Sequence, residues 1–240
     1  MKVRNSIRLV LLDLDGTLAD TAPDLAAAAN RMRVARGLEP LPVSELRPYV
    51  SHGARGMVGR AFDVTPDNAR YRELRNEFLL EYEAALCVES ALFPGMDDTL
   101  QRLEQLGVKW GIVTNKLSRY TLPLVQALQL SERAACVVSG DTTPFSKPNP
   151  APLLHALTTA SVDAAAAMYV GDDQRDIDAG RAAGPPRRGR RHLDGCVGGR
   201  DRGRCRSAHR GLVHDVRVVA LGVCVRGDRR RRDPRALAPN

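Results

Sequence analysis

Aromatic residues and long apolar runs are both scarce in this chain of 240 residues, and each shortage restricts what the protein can be. Aromatic side chains make up 4% of the sequence although 43% of it is hydrophobic, so the core must come mainly from aliphatic and alanine side chains. No stretch approaches the roughly 18 consecutive apolar residues that a membrane-spanning helix needs. The sequence therefore predicts a globular protein without a membrane partner.

Cysteine is also rare, with five residues that are scattered and form no CxxC pair. This pattern disfavours a disulfide framework or a zinc site and favours the reducing cytoplasm, and Cys87 and Cys136 are expected in the core. The apolar run from Ile7 to Leu12 is short and leads directly to Asp13 and Asp15. We interpret it as a buried strand rather than a signal peptide.

Charge divides the chain into two unlike regions. Residues 1–186 contain 20 Lys and Arg against 23 Asp and Glu, whereas residues 187–240 contain 16 Arg against 5 Asp and lack Lys, Glu, Ile and aromatic residues. The pattern changes at Pro185-Pro186, and a shifted reading frame of a GC-rich gene would encode such a composition. We therefore predict that 187–240 is a frameshift product rather than a native domain. The alternatives are an evolved basic tail that binds polyanions such as nucleic acid, and an unfamiliar folded element.

Four short apolar runs predict a parallel sheet that is covered on both faces. They are Ile7–Leu12, Val108–Thr114, Ala135–Ser139 and Ala167–Val170. Helical segments alternate with the later runs and comprise Asp97 or Asp98 to Leu106, Leu117–Leu128 and Pro150–Thr158. This alternation predicts an α/β fold with a doubly wound parallel sheet. The stretch Leu212–Val225 has some alternation and can add a strand beside Ala167–Val170.

The segment between the first two strands is too long for a single crossover and shows no strand alternation. Its predicted helices are Pro23–Arg36, Ser44–Val50, Ala54–Phe62 and Pro66–Leu86. We predict a helical cap domain at residues 20–92, inserted into a catalytic core formed by 1–19 and 93–186. Pro94-Gly95 marks the return to the sheet.

Four polar motifs follow predicted strands. They are Asp13-Leu14-Asp15-Gly16-Thr17, Thr114-Asn115, Lys147-Pro148, and Gly171-Asp172-Asp173 with Asp176. The carboxyl ends of adjacent parallel strands open into one crevice, so these side chains are expected to meet there. Clustered carboxylates repel one another unless a cation lies between them, and Mg²⁺ suits oxygen ligands of this kind.

In this order, the motifs resemble the signature of the haloacid dehalogenase superfamily, in its phosphatase branch with a helical cap. The stretches Leu18–Asp24, Pro94-Gly95 and Gly171–Asp176 resemble the phosphoglycolate phosphatase group. The same features, together with Trp110–Lys116 and Gly53–Arg55, also resemble N-acetylmuramic acid 6-phosphate phosphatases. The resemblance covers residues 7–184.

This resemblance implies a magnesium-dependent phosphomonoesterase that forms an aspartyl-phosphate. Asp13 would be the nucleophile and Asp15 the acid and base, while Thr114, Asn115 and Lys147 would bind phosphate oxygens. The Mg²⁺ ligands would be Asp13, Asp172 and the carbonyl of Asp15. The expected partner is a small phosphorylated metabolite. Phosphoglycolate is the first candidate and N-acetylmuramic acid 6-phosphate the second; a damaged, inactive chain whose basic tail binds polyanions is the other alternative.

Several nearby polar residues retain two interpretations. Asp173 and Asp176 either support the metal ligands or are N-terminal helix residues favoured by the helix dipole. In the insertion, the turn 51–53 and the side chains of His52, Arg55 and Arg60 either reach an anionic substrate or lie on a solvated face. Lys116 either contributes positive electrostatic potential to the site or is a charge on the protein surface. The oligomeric state is left open.

Overall fold

The protein is described here by a computed structural model that covers residues 7–184 and the backbone of 195–196 and 217–220. Its strands are β1 (Leu9–Leu12), β2 (Ala19–Asp20), β3 (Ala91–Leu92), β4 (Lys109–Val113), β5 (Val137–Val138), β6 (Ala167–Gly171), β7 (Gly195–Cys196) and β8 (Arg217–Ala220). Its helices are α1 (Ala22–Val34), α2 (Val43–Leu46), α3 (Gly53–Phe62), α4 (Tyr71–Ala84), α5 (Met96–Gln105), α6 (Ser118–Ala127), α7 (Ala151–Ala160) and α8 (Gln174–Ala183). Two 3₁₀ turns span Arg47–His52 and Ala164–Ala166.

The central sheet has the order β5-β4-β1-β6-β8-β7, and its first four strands run parallel. Helices cover both faces, as the uninterrupted apolar character of these short runs requires. Leu9, Leu11 and Tyr169 pack into a cluster with α7 and α8, while Val10 and Trp110 belong to the cluster on the other face. The predicted doubly wound α/β fold is confirmed, with all four predicted strands in place.

The insertion between β2 and β3 consists of α1 to α4 and has an apolar cluster around Leu46, Met57 and Phe78, to which Tyr120 of α6 also belongs. We call α1 to α4, with the connecting turns, the helical insertion. Its two ends are joined because β2 and β3 pair antiparallel, a pairing that the sequence analysis did not predict. The buried Asp24 also connects the start of the insertion to its end, because its carboxylate accepts hydrogen bonds from the backbone of residues 88–90 and from the Ser90 hydroxyl. The division into a cap domain at 20–92 and a core stays a prediction.

The edge of β6 is covered by β8, which pairs with it antiparallel. This strand lies in the stretch Leu212–Val225, where the sequence allowed one. Gly195–Cys196 forms β7 beside β8. The remainder of 187–240, and with it the frameshift prediction, lies outside the described residues. Cys136 is buried as expected, and Cys87 is half-buried. Among the described residues, no helix has the length and apolar character needed to cross a membrane.

Candidate functional site

The predicted motifs converge at the carboxyl ends of the parallel strands. We call the following residues the strand-end cluster: Asp13, Asp15, Thr114, Asn115, Lys147, Asp172 and Asp176. All except Asp172 line one pocket of about 110 Å³. Asp172 lines a smaller space of about 80 Å³, which shares Val50 and Ser51 with the first. The structure thus brings together every residue of the four predicted strand-end motifs to which the resemblance gives a catalytic, phosphate-binding or metal-binding role, as the crevice of an open α/β sheet requires.

Asp13 is fixed at the end of β1 and is buried. Its N–H continues the sheet ladder by donating to the Val170 carbonyl, and its Oδ1 accepts from the Leu14 N–H at 2.8 Å. The Lys147 ammonium lies 2.9 Å from the same Oδ1. Burial raises the pKa of Asp13 to about 7; Lys147 opposes this rise, and Asp176 adds to it. A cation that approached this carboxylate would favour its ionised form.

Lys147 is a buried cation shared by two carboxylates. Its Nζ lies 2.9 Å from Asp13 and 2.7 Å from Asp176, and it also donates to the Val113 carbonyl. Burial would lower the pKa of Lys147, but the two carboxylates raise it above its ordinary value. The Asn115 amide holds the Lys147 backbone through two reciprocal hydrogen bonds of 2.9 Å. The ammonium therefore stays charged and fixed beside Asp13.

Asp172 faces Asp13 from the end of β6. Its two carboxylate oxygens accept hydrogen bonds from the hydroxyls of Thr17 and Ser51, each at 2.8 Å. Burial raises the pKa of Asp172, although both hydroxyls oppose the rise. Gly16 makes this approach possible, since its φ is +84° and a Cβ there would lie 2.8 Å from an Asp172 oxygen. The glycine of the first motif is thus needed for both its conformation and its small size.

Asp173 and Asp176 form the capping box of α8. The Asp173 side chain accepts from the Arg175 N–H, and the Asp176 side chain accepts from the Asp173 N–H. Asp176 also accepts from the Tyr169 hydroxyl and contacts Lys147, so it belongs to the helix start and to the site at once. The interpretation as residues of the helix start therefore holds for both Asp173 and Asp176. Asp173 also pairs with Arg175. Support of the metal ligands by Asp176 stays a prediction.

Asp15 also lines the pocket. Its Oδ1 accepts from the Thr21 hydroxyl at 2.6 Å and from the Lys116 ammonium at 2.8 Å. The Lys116 side chain is only 10% exposed, which excludes the interpretation of Lys116 as a surface charge.

The acidic groups fit a divalent cation. Asp13, Asp172 and Asp176 each offer a carboxylate oxygen, and these oxygens lie within 4.8 Å of one another. Lys147 supplies the one ammonium in contact with Asp13 and Asp176 among the described residues, so the group retains net negative charge. Oxygen ligands with excess negative charge are what Mg²⁺ prefers.

The helical insertion contributes a short stretch of chain, Val50 to Gly53, to the pocket wall. His52 is part of this stretch, whereas Arg55 does not line the pocket and Arg60 pairs with Glu45. Contacts that the sequence analysis missed include those of Ser51 and Arg175, whose guanidinium donates to the Ser51 carbonyl. Ser51 belongs to the turn 51–53, and Arg175 lies between Asp173 and Asp176, but nothing in their spacing indicated that they would meet. Tyr169 was also missed, because a strand tyrosine gives no signal of its own.

Comparisons with known proteins agree with this geometry. A sequence model of the haloacid dehalogenase-like hydrolase family matches residues 10–187. A phosphoglycolate phosphatase of Xanthomonas campestris pv. campestris is 48% identical over 179 residues, which cover 75% of this chain and 80% of that protein. An N-acetylmuramic acid 6-phosphate phosphatase of Pseudomonas putida is 44% identical over 178 residues, covering 74% and 80%.

A solved structure described as a predicted phosphoglycolate phosphatase from Haemophilus somnus superposes with a TM-score of 0.62 at 27% identity. The superposition covers 72% of this chain and 80% of that one. The family match spans the four parallel strands, the helical insertion and all four motifs. The chain therefore belongs to the haloacid dehalogenase-like hydrolase family and is a hydrolase.

Proposed function

We propose that this protein is a magnesium-dependent phosphomonoesterase that acts on a small phosphorylated metabolite through an aspartyl-phosphate at Asp13. The observation that carries the proposal is the placement of Asp13, which ends a buried strand with Lys147 at 2.9 Å and opens onto the pocket. The phosphatase names of the relatives support the reaction class.

In the first step, an Asp13 carboxylate oxygen attacks the phosphorus atom, and the bond to the leaving oxygen breaks. Among the described residues, both side-chain contacts of Asp13 fall on Oδ1, which favours Oδ2 as the attacking atom. Lys147 balances negative charge beside the transferred group, and Thr114 and the Asn115 N–H are proposed to bind its remaining oxygens.

Asp15 is proposed to handle the protons of both steps. It protonates the leaving oxygen, and as a carboxylate it then takes a proton from the water that attacks the aspartyl-phosphate. Asp13 and inorganic phosphate are regenerated, so the two steps sum to hydrolysis of the ester. Thr21 and Lys116 both bind Oδ1 of Asp15, which leaves Oδ2 for proton transfer.

Asp13, Asp172 and the Asp15 carbonyl are the proposed Mg²⁺ ligands. When bound, the ion would neutralise charge on the carboxylates and on the phosphate. We assign Asp176 a supporting role, because Lys147 and the Tyr169 hydroxyl already bind its Oδ1.

Phosphoglycolate is the substrate that we propose first. The pocket of about 110 Å³ is far smaller than the roughly 300–1,000 Å³ of sites that hold drug-sized ligands. A two-carbon acid phosphate suits this space, whereas N-acetylmuramic acid 6-phosphate, the second candidate, would require the helical insertion to move away. The identities of 48% and 44% do not separate the two candidates. Free Cys87 and Cys136 suit a reaction in the cytoplasm, which is also part of the proposal.

A phosphatase assay of the purified chain against a panel of acid and sugar phosphates, with and without Mg²⁺, tests this function. We expect release of phosphate that depends on Mg²⁺ and is fastest with phosphoglycolate. A higher kcat/KM for N-acetylmuramic acid 6-phosphate would make the second candidate the substrate. Absence of hydrolysis with every ester would contradict the proposed function.

A further inference from the structure

Lys116 connects the strand-end cluster to the helical insertion. It follows the Thr114-Asn115 motif after β4, and its ammonium lies 2.8 Å from Asp15 Oδ1. On its other side, the same ammonium lies 4.7 Å from the centroid of the Tyr82 ring, which belongs to α4 of the helical insertion. One buried cation thus touches the proposed acid and base and the insertion at the same time.

The Tyr82 ring is held firmly in this position. It is buried and packs against Phe78, which also lies on α4, and against Tyr120 of α6, with centroid distances of 6.4 and 5.9 Å. Its hydroxyl has no hydrogen-bond partner among the described residues, and burial raises the pKa of Tyr82 to about 12. Tyr82 is therefore neutral, and the face of its ring forms a cation–π contact with the Lys116 ammonium. Contacts of this kind are stronger where water is excluded.

The contacts of Asp15 show what Lys116 can do. Thr21 and Lys116 approach the same carboxylate oxygen, at 2.6 and 2.8 Å, and so fix the rotation of the carboxyl group. Lys116 also lines the pocket, so direct contact with substrate is the competing role. The two roles differ in their consequences, because orientation of Asp15 matters only where a proton must be delivered to the leaving group.

We propose that Lys116 is a positioning residue that orients Asp15 for proton transfer to the leaving oxygen and is itself seated by Tyr82 of the helical insertion. Docking of the insertion would then hold Asp15, the proposed acid of the core, in the orientation that proton transfer needs. This inference rests on the proposed function and adds to it a residue that acts through Asp15.

The test is a leaving-group series measured on Lys116→Met with aryl phosphates whose phenols differ in basicity, from p-nitrophenyl to phenyl to p-methoxyphenyl phosphate. These esters carry no carboxylate, and kcat/KM reports only the steps up to release of the phenol. We expect kcat/KM to fall about 30-fold or more for the basic phenols but only about threefold for p-nitrophenyl phosphate, whose leaving group needs little acid assistance. The plot against phenol basicity therefore steepens.

Three variants complete the experiment. Lys116→Arg keeps the charge and the donor and is expected to restore most of the wild-type slope. Tyr82→Leu should also steepen the dependence of kcat/KM on phenol basicity, but less than Lys116→Met does. Lys109→Met, the same substitution at the exposed first residue of β4, should leave it unchanged. Circular dichroism melting curves establish that each variant is folded, and should Lys116→Met not fold, Lys116→Gln replaces it.

The possible failures can be told apart. An equal fall of kcat/KM for every ester would overturn the inference and assign Lys116 to the phosphate. A fall for phosphoglycolate alone, with the aryl series unchanged, would overturn it in favour of binding to the substrate carboxylate. If the wild-type chain hydrolyses no phosphate ester with Mg²⁺, the proposed function itself is wrong.

Discussion

The strand-end cluster and the helical insertion face each other across the pocket with different kinds of groups. The cluster presents buried charges held by several contacts each, such as Asp13 and Lys147. The insertion presents mainly the turn from Val50 to Gly53, and a hydroxyl of that turn binds Asp172. From this difference we infer that the core carries the proposed chemistry and that docking of the insertion completes the site.

The largest effect is expected from the core nucleophile. Asp13→Asn should lower kcat by on the order of 10⁴-fold, because an amide cannot form the acyl-phosphate, while the fold is retained. Steady-state assays and a melting curve measure this. Asp178→Asn, at an exposed position on α8, is the matched control and should behave as wild type. Wild-type activity in Asp13→Asn would show that Asp13 is not the nucleophile.

A large effect is also expected from the metal side of the cluster. Asp172→Ala should raise the Mg²⁺ concentration needed for half-maximal rate about 100-fold or more, because Asp13 and Asp172 are proposed to share the ion. Titration of the rate with Mg²⁺ measures the change, and Asp178→Ala serves as its control. If EDTA leaves the wild-type rate unchanged, the metal assignment is incorrect.

Exchange of the helical insertion tests the other half of the comparison. Replacing residues 20–92 by the corresponding segment of a relative with another substrate should change the order of kcat/KM values among esters, because the cluster is proposed to contact only the phosphate, its leaving oxygen and the metal. Formation of the aspartyl-phosphate should persist. An unchanged order of substrate preference in a well-folded chimera would show that the core, rather than the insertion, recognises the leaving group.

A second comparison sets residues 1–186 against 187–240, with net charges of −3 and +11. The family match ends at residue 187, close to Pro185, where the composition changes. We propose that the arginine-rich segment is read in a shifted frame and that it does not supply the native end of the fold. Among the described residues, this segment contributes two short strands to the sheet: β8 covers the edge of β6, and β7 pairs with β8.

The smallest effect on catalysis is expected from restoring that frame. A shift of one nucleotide near codon 185 should produce a sequence with an apolar strand and a helix, raise soluble yield, and leave kcat per folded molecule nearly unchanged. Expression yield and active-site titration measure the two quantities. A gene without such an alternative frame, together with resistance of 187–240 to limited proteolysis, would support a genuine domain element instead.

Much of the core could be predicted from the sequence because its signals are local. Apolar runs such as Ile7–Leu12 can bury both faces only inside a covered sheet, and polar residues placed directly after them must lie at its carboxyl edge. The helices of the insertion were found for a similar reason, although their ends differ by a few residues: Pro66–Leu86 was expected where α4 spans Tyr71–Ala84.

The contacts between the two regions could not be predicted, because they depend on how the insertion docks. Nothing local indicates that Ser51 will meet Asp172 or that Tyr82 will lie over Lys116. The two-residue strands β2 and β3 were missed because pairs this short have no periodicity to detect. For Lys116, the sequence left two interpretations open, and only its burial beside Asp15 separates them.

The measurement that tests the central claim most directly is the trapping of the covalent intermediate. Asp15→Asn, incubated with Mg²⁺ and p-nitrophenyl phosphate, should accumulate the aspartyl-phosphate, because this ester needs little acid while the attacking water lacks its base. After acid quenching and digestion, mass spectrometry should find a phosphoryl group on the peptide that contains Asp13. A phosphoryl group on a different residue, or none while wild type hydrolyses the ester, would contradict the account.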